Sequence, residues 1–214
     1  MPARQKTPPP TLVLFVRHGR TPTTGQVLPG RAKGLRLSGE GLAQAEAVGE
    51  RLAALAKVDA VYASPLERTR ETAGAIARRV GLPVRTDKGL LECDFGEWTG
   101  GELRVLSRRP EWRVIQRHPS GFRFPGGESF TEMQSRVVGA ARRLGATHPG
   151  GTIVLVSHAD PIKAAVADAA GTHLDLFQRL VISPCSVTAI SYGHAGPLVL
   201  MVNSVGALSE LRAS

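Results

Sequence analysis

LVLFVRHG, residues 12–19, joins a continuous apolar run to a short charged turn. The run lacks the polar alternation of a half-exposed strand, which predicts a strand of a parallel sheet covered on both faces. Ligands of such sheets bind beyond the carboxyl ends of the strands, where Arg17 and His18 lie. Gly19 allows the backbone to turn sharply there or to approach a ligand closely. The stretch therefore predicts an α/β fold with an anion site, and a nucleophile within it, at this sheet edge.

A second apolar run repeats this arrangement much later in the chain. Residues Thr152–Val156 are followed directly by Ser157 and His158. The carboxyl ends of parallel strands meet at one edge of a sheet, so we expect His158 to lie near His18.

A third apolar run, Val58–Ala63, leads into a helix predicted to begin at the same edge. Ser64 is suited to cap this helix, the proline after it to its first position, and Glu67 to a capping box. Arg68 then lies in the first turn, where the helix N-terminus adds partial positive charge. Further helices are predicted over 38–57, 128–148 and 161–170, and two closing strands over 186–192 and 198–203.

Five short motifs, in this chain order, resemble those of the histidine phosphatase superfamily, the phosphoglycerate mutase-like group. They are Arg17-His18-Gly19, Ser64-Pro65-Leu66 with Arg68 and Thr69, Glu92 before Phe95-Gly96-Glu97-Trp98, Pro125-Gly126-Gly127-Glu128-Ser129, and Ser157-His158. The resemblance implies a three-layer α/β/α sandwich with a mostly parallel central sheet. It also implies a single domain over 11–214 with a small cap insertion at about 89–127. Residues 1–10, which include three consecutive prolines, are predicted to be a disordered tail.

The expected chemistry is phosphoryl transfer through His18. An imidazole attacks phosphorus only when it is neutral, and neighbouring arginines disfavour its protonation. The guanidinium groups of Arg17 and Arg68 match phosphate oxygens in shape and charge. The resemblance implies that His158 is a further donor to these oxygens and that Glu92 is the proton donor. A glutamate among arginines is expected to stay ionised, so we expect Glu92 to need the bound phosphate to raise its pKa.

The remaining predicted phosphate contacts, Thr24 and Gly30, lie in the loop after the first strand. Members of the superfamily usually have asparagine where this chain has Thr24, whose hydroxyl has a shorter reach. Ala159 replaces the usual glycine after the second histidine. With the Gly30-Arg31 pair, this variant resembles a little-defined actinobacterial branch described as phosphomutases or phosphatases.

Composition limits the classes of partner. The chain carries a formal charge of +9, but its arginines are spread along the helices rather than gathered in a block with aromatic residues. We therefore expect a positive field that steers a small phosphorylated substrate, and no nucleic-acid partner. The histidines show no metal-ligand spacing, and Gly25 to Gly30 has P-loop spacing but is followed by Arg31-Ala32 where Lys and Ser/Thr are required. No metal and no cofactor are therefore expected. The two cysteines, the lack of a signal peptide and the lack of a long apolar run predict a cytoplasmic protein without a membrane span, as monomer or homodimer.

Three functions remain open at this point. The leading one is a phosphomonoester hydrolase that forms a phosphohistidine at His18. The alternative is a phosphomutase of the phosphoglycerate mutase type, which returns the phosphoryl group to another hydroxyl. A non-catalytic phosphate- or nucleic-acid-binding protein is the third. The cap aromatics could accept a substrate ring or form the cap's own core; they are Trp98, Trp112, Phe122 and Phe124.

Overall fold

One mixed sheet of six strands runs through the computed structural model, which describes residues 9–206. The strand order is β3-β2-β4-β1-β5-β6, in which only the β1–β5 and β5–β6 pairs are antiparallel. The strands are β1 (Thr11–Arg17), β2 (Ala60–Ala63), β3 (Val84–Thr86), β4 (Thr152–Ser157), β5 (Val187–Gly193) and β6 (Gly196–Ser204). This confirms the predicted mostly parallel sheet and its two closing strands.

Strand β1 lies inside the sheet between β4 and β5. Its apolar side chains are buried on both faces, as a strand without polar alternation requires. Val13 and Phe15 join the core on one face, and Leu12, Leu14 and Val16 join the core on the other.

Helices cover both faces and complete the three-layer α/β/α sandwich. The helices are α1 (Gly39–Ala53), α2 (Glu67–Val80), α3 (Leu103–Leu106), α4 (Pro110–Arg117), α5 (Phe130–Ala146) and α6 (Ala159–Ala169), with 3-10 turns at Lys88–Leu90, Gly96–Trp98, Pro119–Gly121 and Leu174–Arg179. Helices α1 and α2 pack together on one face of the sheet, and α5 and α6 pack together on the other. The predicted amphipathic helices therefore lie where a sheet buried on both faces needs them.

The start of α2 differs from the prediction. The helix begins at Glu67 and Leu66 occupies the N-cap position, so Ser64 is outside the helix and caps nothing. Arg68 is nevertheless in the first turn, as expected. Gly81 ends the helix in the left-handed conformation, with φ +70°, which glycine adopts without a steric penalty.

The predicted cap segment, 89–127, carries α3 and α4 and an aromatic cluster. Trp98 and Phe124 are 3% and 1% exposed, and their rings pack edge-to-face with centroids 5.6 Å apart. Trp112 and Phe122 are partly buried against the same core. The packing therefore makes these aromatic residues part of the hydrophobic core.

Within residues 9–206, every helix is too short or too polar to cross a bilayer. Most of the predicted disordered tail, residues 1–8, lies outside the described residues.

Candidate active site

The two histidines lie side by side at the carboxyl edge of the sheet. Arg17 at the end of β1 is in register with Ser157 at the end of β4. The residues that directly follow these two strands are therefore the histidines His18 and His158. The ring centroids of His18 and His158 are 5.2 Å apart, and both side chains are buried. Two sequence-distant motifs thus form one site, as the strand pattern predicts.

The His18 ring is held in one tautomer by its own loop. Its Nδ1 lies 2.7 Å from the carbonyl oxygen of Gly19, which can only accept a hydrogen bond. Nδ1 therefore carries the proton and Nε2 carries the lone pair. Burial is the main cause that lowers the pKa of His18 well below its usual value, and the charges of Arg68 and Arg17 lower it further. Both effects favour the neutral imidazole, which is the form that a nucleophilic role requires.

Two arginines place buried donors beside this ring. Arg68 is fully buried, and its Nη2 donates to the carbonyl oxygen of Gly30 at 2.7 Å. Arg17 Nη1 donates to the carbonyl oxygen of Ile182 at 2.6 Å. Among the described residues, Nε of both arginines, Nη1 of Arg68 and Nδ1 of His158 are buried without a hydrogen-bond partner. Buried donors of this kind are costly unless an acceptor satisfies them, and a phosphoryl group supplies several acceptor oxygens.

Ser64 orients His158. The serine Oγ and the histidine Nε2 are 3.0 Å apart, and both atoms are buried. When the hydroxyl donates to Nε2, the proton of His158 resides on Nδ1, the atom that has no protein partner. Ser64 was expected to cap helix α2, and the structure gives it this positioning contact instead.

Glu92 completes the site from the segment after β3. Its Oε1 accepts a hydrogen bond from the backbone N–H of Cys93 at 3.0 Å, and its Oε2 lies 4.0 Å from His158 Nδ1. Burial is the main cause that raises the pKa of Glu92 to about 7, the charge of Asp160 adds to it, and Arg68 opposes it. The carboxyl group is therefore substantially protonated at neutral pH without a bound phosphate, contrary to the expectation from the sequence.

Asp160 is a site residue that the sequence reasoning did not select. It lies in the first turn of α6, two residues after His158, and its carboxylate is 3.6 Å from Lys163 Nζ. Its negative charge acts on both Glu92 and Arg17. Its position directly after the second histidine motif was the available signal.

The two weaker predictions, Thr24 and Gly30, lie in the loop between β1 and α1. The Thr24 hydroxyl accepts from the backbone N–H of Thr21 at 2.9 Å and lies 3.0 Å from the Thr21 hydroxyl. Gly30 has φ +49°, and its carbonyl oxygen accepts from Arg68. Both residues hold other parts of the site or loop, so their contact with phosphate stays a prediction.

Gly19 has a role different from ligand contact. A Cβ atom at this position would lie 2.5 Å from the carbonyl oxygen of Gly41 in α1. The glycine therefore lets the loop after His18 pack directly against the helix backbone.

In the described part of the chain, no cluster of three or more His, Cys, Asp or Glu side chains is arranged to hold a metal ion. The chemistry available to the site is that of a buried neutral imidazole, arginine donors and a carboxyl group. Together these groups suit phosphoryl transfer, which needs a nucleophile, charge stabilisation and a proton for the leaving group.

The chain belongs to the histidine phosphatase superfamily (branch 1), whose family model matches residues 13–205. This confirms the resemblance drawn from the five motifs.

Individual relatives differ in what their names describe. The chain is 32% identical over 201 residues to the Bifunctional protein Rv2228c of Mycobacterium tuberculosis, covering 93% of this chain and 55% of the relative. It thus spans about half the length of these mycobacterial relatives. It is 31% identical over 186 residues to Phosphoserine phosphatase 1 of Hydrogenobacter thermophilus, covering 85% and 88% of the two chains. Other relatives carry phosphoglycerate mutase names.

The chain also shares its fold with a solved phosphatase structure. The native structure of mycobacterial glucosyl-3-phosphoglycerate phosphatase Rv2419c superimposes with a TM-score of 0.80 at 26% identity, covering 90% of this chain and 98% of that one. Relatives of this chain thus carry both phosphatase and phosphoglycerate mutase names.

Proposed function

We propose that the protein is a phosphomonoester hydrolase that acts on a small phosphorylated metabolite through a phosphohistidine at His18. The observation that carries the proposal is the neutral, tautomer-fixed ring of His18 beside buried arginine and histidine donors that have no protein acceptor. Phosphatase names among the relatives and solved structures support the same reaction class.

The first step transfers the phosphoryl group to the enzyme. Nε2 of His18 donates its lone pair to phosphorus, and the bond from phosphorus to the leaving oxygen breaks with its electron pair. Arg17, Arg68 and His158 donate hydrogen bonds to the phosphoryl oxygens as their charge develops. Glu92 transfers its proton to the leaving oxygen, so the product departs as an alcohol.

The second step returns the enzyme to its starting state. The carboxylate of Glu92 accepts a proton from a water molecule as the water oxygen attacks phosphorus. The phosphorus–nitrogen bond of phosphohistidine breaks, and its electron pair returns to Nε2 of His18. Inorganic phosphate leaves, and every proton is accounted for by one glutamate that acts first as acid and then as base.

Phosphate release from a panel of phosphomonoesters across pH 5–8 tests this proposal, with His18→Ala alongside. We expect wild-type turnover and its loss in the variant by about 10³-fold or more, because the nucleophile is gone. Acid quenching of the wild-type reaction is expected to trap acid-labile phosphate on His18.

Two other results would contradict the hydrolase. A stable label on His18 with transfer to a second hydroxyl compound, and little free phosphate, would identify a mutase. Absence of both release and label across the panel, with salt-sensitive polyanion binding that survives His18→Ala, would identify a binding protein.

A further inference from the structure

The segment that carries Glu92 has almost no regular secondary structure. After the short turn at Lys88–Leu90, residues 91–95 belong to neither helix nor strand. Buried backbone carbonyls need hydrogen-bond partners, which a sheet or helix supplies elsewhere. Something other than secondary structure must therefore fix the position of Glu92.

Side chains from two other parts of the chain supply these partners. Arg136 of α5 donates through Nη1 to the carbonyl oxygens of Gly89 (2.9 Å) and Leu91 (3.0 Å), and through Nη2 to that of Glu92 (3.3 Å). Arg31, from the loop after β1, donates through Nε to the same Glu92 carbonyl at 2.9 Å. Two guanidinium groups thus converge on the backbone of the proton donor.

Glu128 ties the two arginines together. Its Oε1 accepts from Arg136 Nε at 2.8 Å. Its Oε2 accepts from Arg31 Nη2 and Arg136 Nη2, each at 2.9 Å, and from the backbone N–H of Asp94 at 3.2 Å. The Glu128 side chain is 15% exposed, so these charge-assisted bonds are shielded from water. Glu128 belongs to the Pro125–Ser129 motif, one of the five that carry the family resemblance.

We call Arg31, Glu128 and Arg136 together the brace. One of its residues, Arg31, is next in the chain to Gly30, which contacts a predicted phosphate donor. Gly30 accepts from Arg68 with its carbonyl, and the next residue, Arg31, holds Glu92 with its side chain.

We propose that Arg31, Glu128 and Arg136 are positioning residues that hold the carboxyl group of Glu92 at the leaving oxygen. The inference rests on the proposed phosphatase function. Loss of the brace is expected to impair proton donation while the phosphoryl donors and His18 remain in place.

Leaving-group dependence isolates this effect. An alkyl phosphate needs a proton on its leaving oxygen, whereas an activated aryl phosphate such as 2,4-dinitrophenyl phosphate does not. The measured quantity is kcat/KM, which reports formation of the phosphoenzyme and is insensitive to its hydrolysis. For Arg136→Met and Glu128→Gln we expect kcat/KM to fall about 10–100-fold with alkyl phosphates, and about twofold or less with the activated ester. Glu92→Gln serves as the reference for the lost proton donor.

A matched control lies on the same helix. Arg142, which is exposed and pairs with Asp168 at 3.0 Å, is replaced by Met and is expected to keep the wild-type leaving-group dependence. Equal losses with both ester types in the brace variants would overturn the proposal, because a merely structural role lowers both. Wild-type leaving-group dependence in these variants would overturn it as well. If Arg136→Met does not fold by circular dichroism, Arg31→Lys retains the charge but removes the bonded geometry and is judged by the same criterion.

Failure of the proposed function gives a different pattern. In that case the wild-type enzyme lacks turnover, or Glu92→Gln itself shows no leaving-group effect. When Glu92→Gln shows the effect and the brace variants do not, only the positioning inference is wrong.

Discussion

In the proposed mechanism His18 acts as nucleophile and Glu92 as acid, so the two groups need opposite protonation states, and one physical cause favours both. The nucleophile must be neutral, which requires a low pKa, and the acid must be protonated, which requires a high one. Burial disfavours the charged form of either group, so it lowers the pKa of His18 and raises that of Glu92 to about 7. Desolvation at the sheet edge thus prepares the nucleophile and the acid at the same time.

The pH dependence of kcat/KM follows from these directions. Burial and the two arginines lower the pKa of His18 well below its usual value, which favours the nucleophilic form across the neutral range. Glu92 loses its proton near pH 7, so proton donation weakens above that pH. With an alkyl phosphate we expect kcat/KM to fall on the alkaline side of about pH 7.

Asp160→Asn moves this alkaline limit. Removal of the negative charge that raises the Glu92 pKa lowers that pKa, so the limit shifts to lower pH. A pH series of kcat/KM for wild type and variant measures the shift. Asp168→Asn, on the same helix but paired with Arg142, is expected to leave the limit in place. Coincident alkaline limits for Asp160→Asn and wild type would show that Asp160 does not act on the proton donor.

Among the elements, helix α1 is seated on the loop that follows His18. A Cβ atom on Gly41 would lie 2.0 Å from the carbonyl oxygen of Arg20, whereas one on Gly39 would have no neighbour within 4 Å. The backbone of α1 therefore contacts the backbone of the preceding loop directly. Arg20, on the loop side of this contact, lies two residues after His18.

Gly41→Ala is expected to lower the free energy of unfolding by about 2–3 kcal/mol, because the added methyl group forces the loop and helix apart. Denaturant unfolding of the variant beside wild type measures the loss. Gly39→Ala, two positions earlier, is expected to stay within about 1 kcal/mol of wild type. Equal stabilities of the two variants would contradict the close packing at Gly41.

Elements with a local signal could be predicted from the sequence. The apolar runs of β1 and β4 identify the sheet, the site edge and the pair of histidines, because burial on both faces leaves a continuous pattern. Ser64 was assigned wrongly because its partner, His158, follows a strand that is distant in sequence. A helix-capping preference depends on neighbouring residues only and cannot reveal such a contact. The brace around Glu92 could not be predicted for the same reason, since Arg31, Glu128 and Arg136 meet only in the fold.

At the scale of the whole molecule, the net charge of +9 acts on any dianionic substrate. The field is long-ranged at low salt, with a screening length of about 30 Å at 0.01 M, and short-ranged near 0.1 M, where it is about 10 Å. We expect kcat/KM to fall several-fold between 0.01 and 0.3 M salt, roughly in proportion to the lost steering, with kcat nearly constant.

Steady-state kinetics in sodium chloride and in potassium acetate at fixed pH measure this effect. If kcat/KM falls equally in both salts, the cause is charge screening, because competition by chloride or by acetate at the site would differ between them. A salt-independent kcat/KM would show that the cationic surface does not contribute to capture of the substrate.

The brace of Arg31, Glu128 and Arg136 holds the segment that carries Glu92 independently of α3 and α4. Its hydrogen bonds join residues 31, 89, 91, 92, 94, 128 and 136, and among the described residues none of these bonds reaches α3 or α4. Within 103–117, Leu106 and Ile115 belong to the hydrophobic core, so we expect substitutions on the exposed side of α3 and α4, rather than in the core, to leave the position of Glu92 unchanged. We therefore expect the outer surface of these helices to drift in sequence during evolution while the geometry around Glu92 is inherited unchanged.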